Sequence, residues 1–172
     1  MDLREKVTEA LGGLEQLVVK IPGYKGYKEK EMRREADKLL REHLARLFEE
    51  QRRRITNLQK QLIKSGQAGL LDDLEDGGMK LQLLIDRLKT ASYGYAGFFD
   101  AVKVKEEQLD ALYDFDNGLM DEVPKVAAAI NKASEAIAAK EGVAEAIANL
   151  VSTIQGVNDT FSKRQDVILQ AS

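Results

Sequence analysis

The sequence predicts an all-α protein, an elongated bundle of four to five helices with coiled-coil-like heptad packing. Three observations predict it. Apolar residues recur every three and four positions through most of the chain. Proline occurs only at Pro22 and Pro124, so long stretches carry no helix breaker. Aromatic residues make up 6% of the 172 and tryptophan is absent, so the core must be built from Leu, Ile, Val and Ala, which suits close helix–helix packing.

We expect a single domain, 1–172, with a short N-terminal helix at 2–20, a long helical hairpin at 27–92 and C-terminal helices within 105–170. The first helix rests on Leu3, Val7, Leu11, Leu14 and Val18 at helical spacing. Gly12 and Gly13 weaken it by about 0.8–1 kcal/mol each relative to alanine, so it needs a surface to lie on. Pro22-Gly23 has the residues of a type II turn, since proline presets φ and glycine takes positive φ. Gly26 allows a second turn, with Tyr24 and Tyr27 pinning the corner by burial.

From Tyr27 to Ser65 the pattern reads as one helix, a rod of roughly 57 Å at ~1.5 Å per residue. Its stripe runs through Met32, Ala36, Leu39/Leu40, Leu44, Phe48, Gln51, Ile55, Leu58 and Leu62. Pairs such as Glu42–Arg46 and Glu49–Arg53 are spaced to bridge on the opposite face. "SGQAG" (65–69) is a turn. The next helix carries Leu74, Gly78, Leu81, Leu84/Ile85 and Leu88 on one face, should run antiparallel to the rod, and has a soft spot at Gly77-Gly78.

"ASYGYAGFFDAVKV" (91–104) interrupts the pattern; four of the ten aromatics lie between 93 and 99. Glu106 and Glu107 suit the positive end of a new helix. Its core side is Leu109, Leu112/Tyr113, Asp116, Leu119/Met120 and Val123. From Val123 to Ile168 eleven of fourteen a/d positions are apolar, which implies a long helix with a hinge at "AKEG" (139–142). Asn158 falls at an a position, where it can fix register. The Ala127–Ala129 face permits close helix approach.

Charge is segregated. The net charge is −3, but residues 24–64 hold 13 Lys/Arg against 7 Asp/Glu, and residues 65–172 hold 10 against 18. The favoured reading is a basic helix lying against acidic helices of the same chain. With no cysteine, disulfides, thiolate nucleophiles and cysteine metal sites are excluded. No run of about 18 apolar residues is present to span a membrane. The N-terminus has no apolar signal core, so a cytoplasmic protein is expected.

The search for chemistry yields little, and no enzyme, cofactor, metal or small-molecule substrate is expected. His43 is the single histidine and sits beside Leu44 on the stripe, where it reads as structural. A ferritin-like site needs two Glu-x-x-His motifs, and the residue three before His43 is Leu40. "LYDFDNGLMDE" (112–122) and "DDLEDGG" (72–78) fail the calcium-loop pattern and read as solvated acidic faces; Asp110, Asp114 and Asp121 could meet the basic rod. "GYKGYK" lacks the spacing of a phosphate loop. Tyr24, Lys25, Tyr27, Lys28, Arg33 and Arg34 combine aromatic area with charge and form the candidate interaction surface. Glu29, Glu31, Glu35 and Asp37 offset much of that charge, so nucleic acid is not the expected partner.

The words "IPGYKGYKEKEMRREADKLLREHLA" and "ASYGYAGFFDAVKVKEEQLDALYDFD" resemble a group of small all-helical bacterial proteins with no assigned activity. The likeness covers residues 20–120 and implies a bacterial cytoplasmic origin; it brings no catalytic residue. A short amphipathic helix ahead of a long charged hairpin is also similar in layout to the phage-shock-protein A class of membrane-remodelling scaffolds. The expected function is a non-enzymatic scaffold or protein–protein interaction module, self-associating or bound to a protein partner. One alternative is a peripheral, self-assembling membrane scaffold using residues 2–20. That helix mixes Asp2, Glu5, Glu9 and Glu15 with Arg4, Lys6 and Lys20, whereas interfacial helices carry a basic polar face. The other alternative is a binder of an anionic polymer through 24–64.

Overall fold

The computed structural model describes residues 25–91, 106–164 and 166–167, with side chains from 36 and from 110 onward in the first two stretches. The described residues are helical apart from short turns, and no strand occurs among them. The helices are α1 (Lys25–Lys64), α2 (Leu71–Thr90), α3 (Glu106–Gly118), α4 (Glu122–Ala139) and α5 (Val143–Ser162). Short 3-10 turns at Ala68–Leu70 and Leu119–Asp121 precede α2 and α4. The expected N-terminal helix, the Pro22-Gly23 turn and the aromatic break at 92–104 lie outside the described residues.

The chain divides into two compact units. The second comprises Glu42–Ala91 and Gly118–Arg164 and is a four-helix bundle. Of the first unit, the described residues are 25–41, 106–117 and 166–167.

The bundle is two helical hairpins laid side by side. α1 and α2 run antiparallel, as expected from their stripes, and so do α4 and α5. The hairpins face the same way. Arg54 donates from Nη2 to Asn131 Oδ1, Gln61 Nε2 donates to the Ser134 carbonyl at 3.0 Å, and Gln67 Nε2 donates to the Ile137 carbonyl at 3.3 Å. Positions rising along α1 thus meet positions rising along α4, so these two are parallel. α2 and α5 are parallel by the same argument, since Asn158 meets Lys80 while Ser162 meets Arg87. Each helix has one antiparallel mate and one parallel neighbour.

The core is the heptad seam read from the sequence. In α1 the buried positions are Leu44, Phe48, Gln51, Ile55, Leu58 and Leu62, alternating by four and three. α2 contributes Leu74, Leu81, Leu84, Ile85 and Leu88. Burying each such aliphatic side chain stabilises by roughly 1.5–3 kcal/mol, so the seam is the main source of cohesion. Leu39 departs from the expected stripe: it is 48% exposed, and Leu40 carries the buried position.

Both hairpin turns use one backbone device. In the first, Gly66 takes φ 78°, its N–H donates to Ile63 O, and the Gln67 N–H reaches back to Leu62 O. This is a Schellman cap, in which a left-handed residue satisfies the last carbonyls of a helix. In the second, the left-handed residue is Lys140 at φ 55°, with Lys140 N–H on Ile137 O and Glu141 N–H on Ala136 O. Gly142 follows with φ 63° and opens α5. The long helix expected from 123 to 168 is therefore two antiparallel helices. The heptad phase slips at the turn, where Lys140 and Ala144 are exposed and Val143 is buried. Of the alanine face, Ala129 is buried and Ala128 is exposed.

Gly77 and Gly78 do not kink α2, which is continuous and buries both. A Cβ at Gly77 would sit 3.1 Å from Val151 Cγ2, and one at Gly78 would sit 3.2 Å from the Arg52 guanidinium carbon. These glycines let α5 and the Arg52 side chain lie close against α2. Pro124 stands in the first turn of α4, where a helix has no partner for its N–H groups, so the missing donor costs nothing.

Candidate functional site

The surface expected from the sequence is only partly within the described residues. Tyr24 lies outside them, and the side chains of Lys25, Tyr27, Lys28, Arg33 and Arg34 are not described. Their backbone is helical from Lys25 onward, so the helix expected from Tyr27 begins two residues earlier and takes the place of the second turn expected at Gly26. Those residues therefore begin a helix, because nothing after Lys25 breaks its hydrogen-bond ladder.

Two exposed helix faces in the second unit carry more than the sequence signalled. The outer face of α1 presents Arg46, Arg53, Lys60 and Lys64. None of these four makes an ion pair with a described residue. Positions 46, 53 and 60 repeat at seven, so they stay on one stripe pointing away from the seam. Glu50 is the exposed acid among them. The outer face of α2 is the opposite in charge. It presents Asp72, Asp76, Met79, Leu83 and Asp86, with Met79 61% and Leu83 53% exposed. Lys80 and Lys89 lie to either side, where Lys80 pairs with Asp76 at 3.6 Å and Lys89 pairs with Glu49.

α1 lies beside the acidic α2, but among the described residues no cation of α1 pairs with an acid of α2. The ion pair joining α1 to α2 runs the other way, from Lys89 on α2 to Glu49 on α1. Glu49 is thereby withdrawn from the expected pair with Arg53, and Glu42 and Arg46 form no bridge. The reason is geometric. A seam of apolar side chains occupies the facing surfaces, so the surplus charges of both helices end on the outside.

Charge is buried elsewhere. In the first unit Arg41 Nε donates to Asp37 Oδ2 at 3.0 Å and lies 4.0 Å from Asp116 Oδ2, with all three side chains 5% exposed or less. Asp116 was expected on the core side of its helix; Asp114, expected to meet the rod, is exposed. One guanidinium between two carboxylates links α1 to α3. Tyr113 is half-buried nearby, and burial, helped by Asp114 and Asp37, pushes its phenol above the usual value, which keeps it neutral.

In the second unit Asn158 and Arg87 form a polar anchor between α2 and α5. Asn158 Nδ2 donates to Lys80 O at 2.8 Å. Arg87 Nη1 donates to Asn158 Oδ1 at 3.2 Å and to its carbonyl at 3.1 Å, and Nη2 donates to Ser162 Oγ at 2.9 Å. The guanidinium also lies 4.8 Å from the Phe161 ring centroid, a cation–π contact. Burial lowers the Arg87 pKa and Asp159 opposes that, so the group stays charged.

His43 is half-buried, with Nε2 enclosed and without a hydrogen-bond partner. Burial lowers its pKa below the ordinary value, and Arg46 adds to the effect. An imidazole held neutral with one nitrogen sealed is a packing group, as its place beside Leu44 suggested. An open groove of about 430 Å³ runs between α2 and α5, lined by Asp73, Asp76 and Lys80 on one side and Ala148, Val151 and Gln155 on the other. Ser152 also lines it, and its hydroxyl makes no hydrogen bond to a base among the described residues.

Met79 and Leu83 fall off the buried stripe of α2, so the apolar periodicity that defines the helix does not mark them. The signal was present: two apolar residues four apart that fall off the stripe of Leu74, Leu81 and Leu88. Among the described residues no helix is long and apolar enough to cross a membrane, and no three His, Cys, Asp or Glu residues gather as a metal-ligand set. No protein-family model matches the chain, and no curated protein or solved structure is significantly similar to it.

Proposed function

We propose that the protein is a non-enzymatic scaffold, a protein–protein interaction module whose contact surface is the outer face of α2, working in a bacterial cytoplasm. The observation that carries this reading is the pair Met79 and Leu83, exposed side by side between Asp72, Asp76 and Asp86 on a bundle that otherwise buries its heptad seam. An apolar centre with a charged rim is the anatomy of a protein contact, where the centre excludes water and the rim selects the partner. The acids favour a basic partner helix.

A photo-cross-linking amino acid at Leu83 tests the reading in cells. One or a few defined protein adducts are expected. Absence of protein adducts at Leu83, with the same probe at Arg53 labelling lipid or nucleic acid, would replace it.

That second outcome corresponds to the anionic-surface reading, which the stripe Arg46, Arg53, Lys60 and Lys64 favours. Binding to a polyanion through four cations would fall steeply with salt. The membrane-scaffold alternative rests on residues 2–20, which lie outside the described residues.

A further inference from the structure

We propose that the partner is a second copy of this chain, and that copies join head to tail, the cationic stripe of α1 on one seating against the apolar–acidic face of α2 on the next. The inference rests on the interaction-module reading above and names its partner.

Charge complementarity is the first argument. The α1 face carries Arg46, Arg53, Lys60 and Lys64 against Glu50, and the α2 face carries Asp72, Asp76 and Asp86, with Lys80 at its edge paired to Asp76. Arg46, Arg53, Lys60 and Lys64 make no ion pair with a described residue, and neither do Asp72 and Asp86, whereas Asp76 is paired with Lys80.

The spacing of the charges also matches. Arg46 and Lys60 are fourteen residues apart on one helix, and so are Asp72 and Asp86 on the other. At ~1.5 Å per residue each pair spans about 21 Å, so both end pairs can meet at once whichever way the helices run. Arg53 and Met79 are the midpoints of the two spans. The aliphatic stem of Arg53 can then cover Met79 and Leu83 while its guanidinium reaches the acidic rim, as long cationic side chains do on apolar surface.

The two faces belong to different helices of one unit, so the contact is not self-complementary. Each copy offers one donor face and one acceptor face. Such a heterologous contact continues into a ring or an open chain rather than stopping at a two-fold dimer. Rim-exposed charge pairs are individually weak, so the joint is expected to be reversible and sensitive to salt.

The test is sedimentation velocity of the full chain over a range of concentrations, with charge-swapped variants. The wild type is expected to sediment faster as concentration rises at low salt, and the apparent association constant should fall about tenfold or more on raising salt several-fold. R46E/K60E has two acidic faces and D72K/D86K has two basic ones, so each alone is expected to remain monomeric. An equimolar mixture should associate again, because each variant now complements the other. All four positions are on the outer surface, and circular dichroism of each variant checks that the helices persist. The single substitutions Lys60→Gln and Asp86→Asn are gentler versions with the same expected direction. A wild type that stays monomeric, association that survives both double variants, or a mixture that fails to recover would each overturn the proposal. A monomeric wild type whose Leu83 probe still cross-links to a different protein would overturn self-association and leave the interaction-module reading standing.

Discussion

Asn158→Ala tests the polar anchor between α2 and α5. The substitution removes a bond from Nδ2 to Lys80 O at 2.8 Å and one from Arg87 Nη1 to Oδ1 at 3.2 Å. A neutral buried hydrogen bond contributes a net ~0.5–1.5 kcal/mol and one to a charged group ~1.5–3. Two features hold the total near the low end. Arg87 keeps the Asn158 carbonyl, the Ser162 hydroxyl and the Phe161 ring, so its charge is not abandoned. The Lys80 carbonyl also lies within α2 and keeps its helical partner. The expected loss is about 2–3 kcal/mol. For a chain of this size that lowers the melting temperature by about 5–10 °C. Urea unfolding followed by circular dichroism measures it, with an unchanged slope expected because the buried surface is nearly the same. A double-mutant cycle with Arg87→Met should give a coupling of about 1 kcal/mol. A loss under about 0.5 kcal/mol, or no coupling to Arg87, would refute the argument that this pair anchors the two hairpins.

Arg41→Met removes the cation that Asp37 and Asp116 share, and breaking a buried pair from one side costs about 3–5 kcal/mol. Asp116→Asn in the same background should recover part of that loss in urea unfolding; a fully additive double variant would contradict the cluster. Lys140→Gly should stabilise by about 1 kcal/mol, since glycine takes the left-handed turn position without the steric cost of a Cβ; no gain in thermal melting would show that the lysine side chain supports the turn in another way. His43 gives a pH dependence with a definite sign. Its folded pKa lies below the ordinary 6.5, so below that pH the unfolded chain takes up a proton that the folded chain resists. Stability is therefore full above about pH 6.5, falls as pH drops toward the folded pKa, and levels off below it. As the single histidine, its proton resonance can be titrated without assignment, and a midpoint at or above 6.5 would contradict the enclosed Nε2.

Much of this protein was determined by the sequence alone. The all-α class, the antiparallel α1–α2 hairpin, the turn at 65–69 and the seam through Leu44, Phe48, Ile55, Leu58 and Leu62 follow from periodicity and breakers, which are local properties. Asp116 and Asn158 could be marked as buried polar positions for the same reason, because each falls on an apolar stripe. Only the tertiary structure decided what they meet: Arg41 in one case, Lys80 and Arg87 in the other. Contacts between residues more than seventy apart leave no trace in spacing. The break at 139–142 was marked as a hinge, but that it reverses the chain was hidden, because a non-glycine residue takes the left-handed position and the heptad count passes through it with a single slip. The Gly77-Gly78 pair looked like a weakness and is a close-packing surface, since the value of a missing Cβ depends on what stands opposite. The outward faces of α1 and α2 were decided in the same way. Charge composition announced a basic segment and an acidic one, but apolar packing took the facing surfaces and left both sets of charges outside, because burying the seam outweighs pairing ions that water already solvates.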